Sequence, residues 1–182
     1  MERQIIFLQG GGSKEDYEAD QPLVDSLREH LVPGYDIHYP LLPDDGTPDL
    51  GRRSQIAAHI AASSDGVLLV AHSFGASMLL ACLSEIEIQR KIGGIFLIST
   101  PFWEGNEDWV EPFKLRADFA GKLDRTIPLF FYHCLDDEEV PVEQLSVYEQ
   151  ELPWATFRKI PTGGHQLNND LGIVAQDILA PI

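Results

Sequence analysis

Gly66-Val67-Leu68-Leu69-Val70-Ala71-His72-Ser73-Phe74-Gly75-Ala76-Ser77-Met78-Leu79-Leu80-Ala81-Cys82-Leu83 is the stretch on which the reading of this chain turns. Val67 to Ala71 is an unbroken apolar run of strand length, the pattern of a strand buried on both faces. Ser77 to Leu83 has the composition of a buried helix, with Met78, Leu79 and Cys82 at spacings of three and four. Ser73 therefore sits on a strand-to-helix turn, with Ala71 two residues before it and Gly75 two residues after. A turn that sharp strains the serine backbone, so its second neighbours must be small for strand and helix to approach. It also sets the hydroxyl at a helix amino terminus, where free N–H groups and the helix dipole favour developing negative charge. An ordinary turn with a capping serine is the competing reading of this stretch taken alone.

Outward from the turn, short apolar runs recur at Ile5–Leu8, Ile92–Ile98 and Ile127–Tyr132, with weaker ones at Tyr35–Tyr39 and Ala155–Ile160. Helical patterns lie between them over Asp20–Leu31, Arg52–Ser63, Phe74–Ile88, Val142–Leu152 and Leu167–Leu179. In the second of these, Ile56, His59, Ile60 and Ser63 follow the helical period. Alternating strand and helix predicts a three-layer α/β/α sandwich around an open, mostly parallel six-stranded sheet, with ligands beyond the carboxyl ends of the strands. One domain is expected over 1–182, since a chain of this length supports one core. Residues 101–125 hold Trp103, Trp109, Phe113 and Phe119 among many charges and read as a lid-like excursion over that edge.

Two further groups fall at strand ends. The run ending near His133 leads into Asp136-Asp137-Glu138-Glu139, and the last strand leads into Gly163-Gly164-His165. A histidine behind two glycines can swing over the sheet edge toward a serine, take its proton during attack and return it to a leaving group. A carboxylate behind it would fix the imidazole tautomer and stabilise its charged form. Four consecutive acids leave the choice of carboxylate open at this point, and most of such a run is ordinarily a solvated loop face. The acidic surroundings predict a His165 pKa above the ordinary value of about 6.5.

With Ser73, an acid and His165 in that order, each after its own strand, the chain resembles the α/β-hydrolase superfamily, over Ile5 to Leu179. It looks like the small, nearly cap-less serine hydrolases and carboxylesterases, which lack the first two strands of larger members. Members commonly show the acid followed three and four residues later by Val-Pro. That register selects Asp137, before Val140 and Pro141, with Asp136 in reserve. The resemblance implies an acyl-enzyme on Ser73, with the oxyanion held by the N–H groups of Phe74 and of the loop after the first strand, Gln9-Gly10-Gly11-Gly12-Ser13. Similar hydrolases begin that loop with His-Gly, and the departure at Gln9 points to Gly11. Gly10, Gly12, Trp103 and Trp109 are candidates for the substrate pocket, although aromatic residues more often simply pack. A phosphate-cradling role for the glycines is weaker, because neither GxGxxG nor a following Lys-Ser/Thr is present. The implied substrate is a small-molecule ester, thioester or amide, with no cofactor. The alternative is a binding protein for a protein or small-molecule partner that keeps the fold without useful catalysis.

Charge and composition narrow the partners. Thirteen Lys and Arg against 29 Asp and Glu leave a net charge of −16, which repels nucleic acid and anionic lipid. Cys82 and Cys134 lie in apolar segments without metal spacing and read as inert core thiols. His30, His38 and His59 read as surface or helix residues, and His72 as filler of the free position in the turn. A metal cluster drawn from His133, Asp136, Asp137 and His165 lacks ligand-pair spacing, so no metal is expected. No apolar run approaches the roughly 18 residues that span a bilayer and no signal-peptide pattern opens the chain. A cytoplasmic monomer or homodimer is expected.

Overall fold

The computed structural model describes residues 2–31 and 33–180. Met1, Val32, Pro181 and Ile182, which the domain expected over 1–182 includes, lie outside the described residues. Among the described residues six strands form one parallel sheet: β1 (Arg3–Leu8), β2 (Tyr35–His38), β3 (Val67–His72), β4 (Ile92–Ile98), β5 (Leu129–Cys134) and β6 (Thr156–Ile160). Their spatial order is β2-β1-β3-β4-β5-β6. The chain thus adds strands to one side of β1 and then to the other. The connections after β1 and β3 diverge there, and a crevice opens between them.

Among the described residues seven α-helices accompany the sheet: α1 (Lys14–Ala19), α2 (Gln21–Leu31), α3 (Arg52–Ala62), α4 (Ser73–Glu85), α5 (Phe119–Lys122), α6 (Glu143–Glu151) and α7 (Gly172–Leu179). Side chains alternate along each central strand. Ile6, Leu8, Leu69, Ala71, Leu97 and Phe131 pack with α3, α4, α5 and α6 on one face. Ile5, Phe7, Leu68, Val70, Phe96 and Tyr132 pack with α2 and α7 on the other. β3 is buried along its whole length, which is why its sequence reads as a continuous apolar run rather than an alternating one.

Two differences from the sequence reading have local causes. The strand expected over 127–132 begins at Leu129, because Pro128 has no N–H for the ladder; its carbonyl instead accepts Ile95 N–H at 2.9 Å. The helix expected over 167–179 is divided. Leu167–Asn169 makes a 3-10 turn in which all three residues have positive φ, and the helix proper starts at Gly172, whose N–H donates to Asp170 Oδ1 at 2.8 Å. No helix is expected over 14–19. The structure forms α1 there on a capping box between Ser13 and Asp16, a spacing that is visible in the sequence.

Residues 101–125 divide their roles. Phe119 is buried in the core, whereas Pro101 to Glu104, Glu107, Trp109 and Val110 line a cavity at the carboxyl edge of the sheet. Cys82 and Cys134 are buried and unpaired, and burial pushes their thiols up to about 12 and about 11. Among the described residues no helix is long and apolar enough to cross a membrane.

Candidate active site

Ser73 follows the last residue of β3 directly and opens α4, with a left-handed φ of 48°. That conformation is costly for a residue with a Cβ and persists only where packing imposes it. Here the packing is visible. A Cβ added at Gly75 would run into the Gln9 carbonyl oxygen, so β1 and α4 approach through the missing side chain. Ala71, two residues before the serine, is fully buried against the sheet. Gly75→Ala is accordingly expected to destabilise the protein by at least about 3 kcal/mol, since backbone must move to admit one methyl group. A urea melt beside the wild type measures this, and an unchanged midpoint would contradict the packing argument.

The serine hydroxyl meets a histidine. Ser73 Oγ lies 2.9 Å from His165 Nε2, and His165 Nδ1 lies 3.0 Å from both carboxylate oxygens of Asp137. An ionised carboxylate only accepts, so the imidazole proton sits on Nδ1 and leaves the Nε2 lone pair facing the hydroxyl. The side chains of Asp137 and His165 are 0% and 4% exposed. Burial by itself raises the Asp137 carboxyl, but hydrogen bonds from His165, Val140 N–H and Glu139 N–H outweigh it and hold the group below its ordinary value. Burial likewise works against a charged His165. The hydrogen bond and charge of Asp137, with Glu139 and Glu138 nearby, reverse this and raise the imidazole above 6.5.

The remaining acids of the 136–139 run are exposed, as expected of a solvated loop face, and each also reaches the histidine loop. Asp136 Oδ1 accepts the N–H groups of Gly163 and Gly164, each at 2.9 Å. Glu138 Oε2 accepts His165 N–H at 3.1 Å, and Glu139 Oε2 stands 3.5 Å from His165 Nε2. Asp136, the reserve candidate, thus holds the backbone of the histidine loop while Asp137 holds the ring. His133 Nε2 donates to the Val140 carbonyl at 2.8 Å. Among the described residues no three His, Cys, Asp or Glu side chains are grouped to hold a metal ion.

The glycine loop after β1 is tied down by carboxylates. Gly10 N–H donates to Asp20 Oδ2 at 2.7 Å, and Gly12 N–H and Ser13 N–H donate to Asp16 Oδ2 at 3.0 and 2.9 Å. Gly11, at φ 58°, lines the cavity and its N–H has no acceptor among the described residues. Phe74 N–H, in the first turn of α4, has no carbonyl four residues back to receive it. Gly10 lines the cavity too, but with its N–H engaged. Gly12 does not line the cavity, a correction to the pocket expected from sequence; its N–H turns away to Asp16 and its Cα faces Leu50.

The cavity has a volume of about 580 Å³ and its lining includes Ser73, His165, Trp103 and Trp109. Trp103 Nε1–H donates to Ser77 Oγ at 2.9 Å and packs near Phe74 and Phe113, which makes it a fixed wall. Trp109 is 63% exposed at the rim. Five carboxylates and no Lys or Arg line the space among the described residues.

Sequence reasoning misses several contributors. Gln9, met only as a departure from His, is buried and clamps two loops, accepting Leu42 N–H at 3.0 Å and donating to the Ser13 carbonyl at 3.2 Å. Arg52 is fully buried, its guanidinium 5.8 Å from the Phe74 ring and 3.4 Å from the Gly11 carbonyl. At the start of an Arg-Arg helix nothing local marks it as an internal cation. Asp20 shows in the sequence only as the start of a helical pattern, and His72, read as filler of the turn, is given no role there.

A family model described as serine hydrolase matches residues 51–173. No curated protein matches the chain. Among solved structures, the ydeN gene product from B. subtilis superposes with a TM-score of 0.78 at 19% identity, covering 97% of this chain and 96% of that one. Est1E from Butyrivibrio proteoclasticus gives 0.71 at 16%, covering 97% and 85%. Arabidopsis thaliana SOBER1 gives 0.71 at 16%, covering 97% of both. At such identities these likenesses speak for a shared fold, that of the α/β-hydrolases.

Proposed function

This chain belongs to the serine hydrolase family, and we propose that it cleaves a carboxylic ester of a small or medium neutral molecule through an acyl-enzyme on Ser73. The observation that carries the proposal is the continuous relay from Ser73 Oγ through His165 to Asp137, with contacts of 2.9 and 3.0 Å, opening on the cavity. Ser73 Oγ attacks the ester carbonyl carbon as its proton passes to His165 Nε2. The oxyanion forms against the N–H groups of Phe74 and Gly11. Collapse expels the alcohol, which takes the proton from Nε2. Water then attacks the acyl carbon, giving its own proton to the same nitrogen, and the acid leaves with Ser73 restored. Asp137 stays ionised and stabilises the imidazolium in both half-reactions.

A lining that holds carboxylates and no Lys or Arg weighs against an anionic substrate. The aromatic wall of Trp103 and Phe74 suits an apolar acyl or alcohol group. A thioester or amide would pass through the same steps with a different leaving group.

Trapping tests the acyl-enzyme directly. Protein mixed with an activated acetyl ester and quenched in acid is expected to gain one acetyl mass on the peptide carrying Ser73, with a burst of product on mixing. Absence of both adduct and burst, together with no labelling by a fluorophosphonate, would favour a binding protein that has kept the fold.

The pH dependence follows from His165. Attack needs the neutral imidazole, and protonation removes the acceptor. Because the surrounding carboxylates raise this group, protonation sets in above 6.5 as pH falls. The acid limb of kcat/KM is therefore expected with its midpoint on the alkaline side of 6.5. A profile still flat at pH ~6 would contradict the assignment of His165 as base.

A further inference from the structure

Behind the Ser73–His165–Asp137 relay lies a second buried carboxylate and imidazole. Asp20, the residue between α1 and α2, and His72, the last residue of β3, have side chains that are each 2% exposed, and His72 Nδ1 is 2.9 Å from both Asp20 oxygens. Asp20 also accepts Gly10 N–H at 2.7 Å and Gln166 Nε2–H at 3.2 Å. The other ring nitrogen of His72 reaches the main-chain carbonyl of His165 at 3.1 Å, which Ser99 Oγ–H also meets at 2.9 Å.

Both ring nitrogens of His72 thus face oxygen atoms that accept. A carbonyl cannot donate, and Asp20 already accepts from two further N–H groups, so both nitrogens must carry protons for neither contact to be a repulsion between lone pairs. We infer that Asp20 and His72 form a buried ion pair that positions, from behind, the glycine loop, the serine turn and the histidine loop relative to one another. The inference rests on the reading of Ser73 and His165 given above. The pair links the three segments that carry the reactive groups, at the divergence of β1 and β3, where the sheet supplies no hydrogen bonds between them. Because the pair is neutral as a unit, it places no net charge beside the His165 ring, whose centroid lies 4.8 Å from that of His72. Burial opposes the charge on Asp20, but the hydrogen bonds from His72 and Gly10 hold its carboxyl below the ordinary value. The ionisable groups facing the pair are His165 and, on the Asp20 side, Tyr39. A Cβ on Gly10 would stand 2.9 Å from His72 Nδ1 and 3.2 Å from Ser73 Cβ, so the loop approaches the pair only because it is glycine there.

The test is a long-range proton–nitrogen correlation spectrum of the histidine rings in the wild-type protein at pH 7.5, with the His72 ring assigned through its own backbone resonances. Both ring nitrogens of His72 are expected to be protonated, and Asp20→Asn is expected to convert the ring to a singly protonated form. A singly protonated His72 in the wild type overturns the ion pair, and that measurement requires no variant to fold. In ester turnover, Asp20→Asn and His72→Gln are expected to lower kcat about 10-fold or more with KM within about twofold, as displaced reacting groups do. Folded variants with wild-type kcat overturn the positioning role. Unlabelled Ser73 in a wild type whose His72 is doubly protonated would overturn the reading of Ser73 and leave the ion pair intact.

Discussion

Ser73→Ala is expected to lower ester turnover by about 10⁵-fold or more while leaving the fold and the binding of a non-hydrolysable ester analogue in place. The size of the effect follows from covalent chemistry. Without Oγ there is no acyl-enzyme, and His165 has no serine proton to take, so what remains is attack by water with help from the oxyanion donors. His165→Ala should cost nearly as much, and the double variant little more than either single one, because the two groups act as a unit. Turnover assays of the three variants, with circular dichroism as a control on folding, measure this. A Ser73→Ala protein that keeps more than about 1% of wild-type turnover would show that another nucleophile operates.

Asp137→Asn is expected to reduce kcat by about 10³- to 10⁴-fold at neutral pH. The replacement is nearly isosteric, so the loss is electronic. An amide side chain can offer its N–H to His165 Nδ1, which then holds a lone pair and moves the proton to Nε2, where it faces the serine as a second donor. The comparison with Asp136 makes the test specific. Asp136 holds only the N–H groups of Gly163 and Gly164, so Asp136→Ala loosens the histidine loop and is expected to cost between about 10- and 100-fold. Equal losses in the two variants, or a larger loss at Asp136, would reverse the assignment made from the geometry.

The Asp136 and Asp137 pair also marks where reading the chain as text stops. Val140 and Pro141 select Asp137 through a family register, and the structure puts Asp137 against the imidazole. What the neighbours do has no local signature. Asp136 and Glu138 reach residues 27 positions further on, and a run of four acids looks the same whether it faces water or holds a loop. The same holds for Arg52, which begins a helix as any surface arginine might and ends up fully buried.

The sheet, by contrast, is legible because its causes are local. A strand buried on both faces reads as a continuous apolar run, as β3 does from Val67 to Ala71, and a turn from strand to helix around a strained serine must be flanked by small residues. These requirements act within a few residues and leave their mark in composition and spacing. The three side chains proposed to react are each announced in the same way, by the strand end that carries them.

Their convergence is another matter. Whether Ser73, Asp137 and His165 come within hydrogen-bond reach, which glycine N–H stays unengaged, and whether a carboxylate at position 20 meets an imidazole at 72 all depend on the order in which six strands assemble. Asp20 and Gln166 touch across 146 residues of chain. Contacts of that separation leave no periodicity and no spacing in the sequence, because what fixes them is the packing of helices on both faces of the sheet, which closes only when the whole chain has folded.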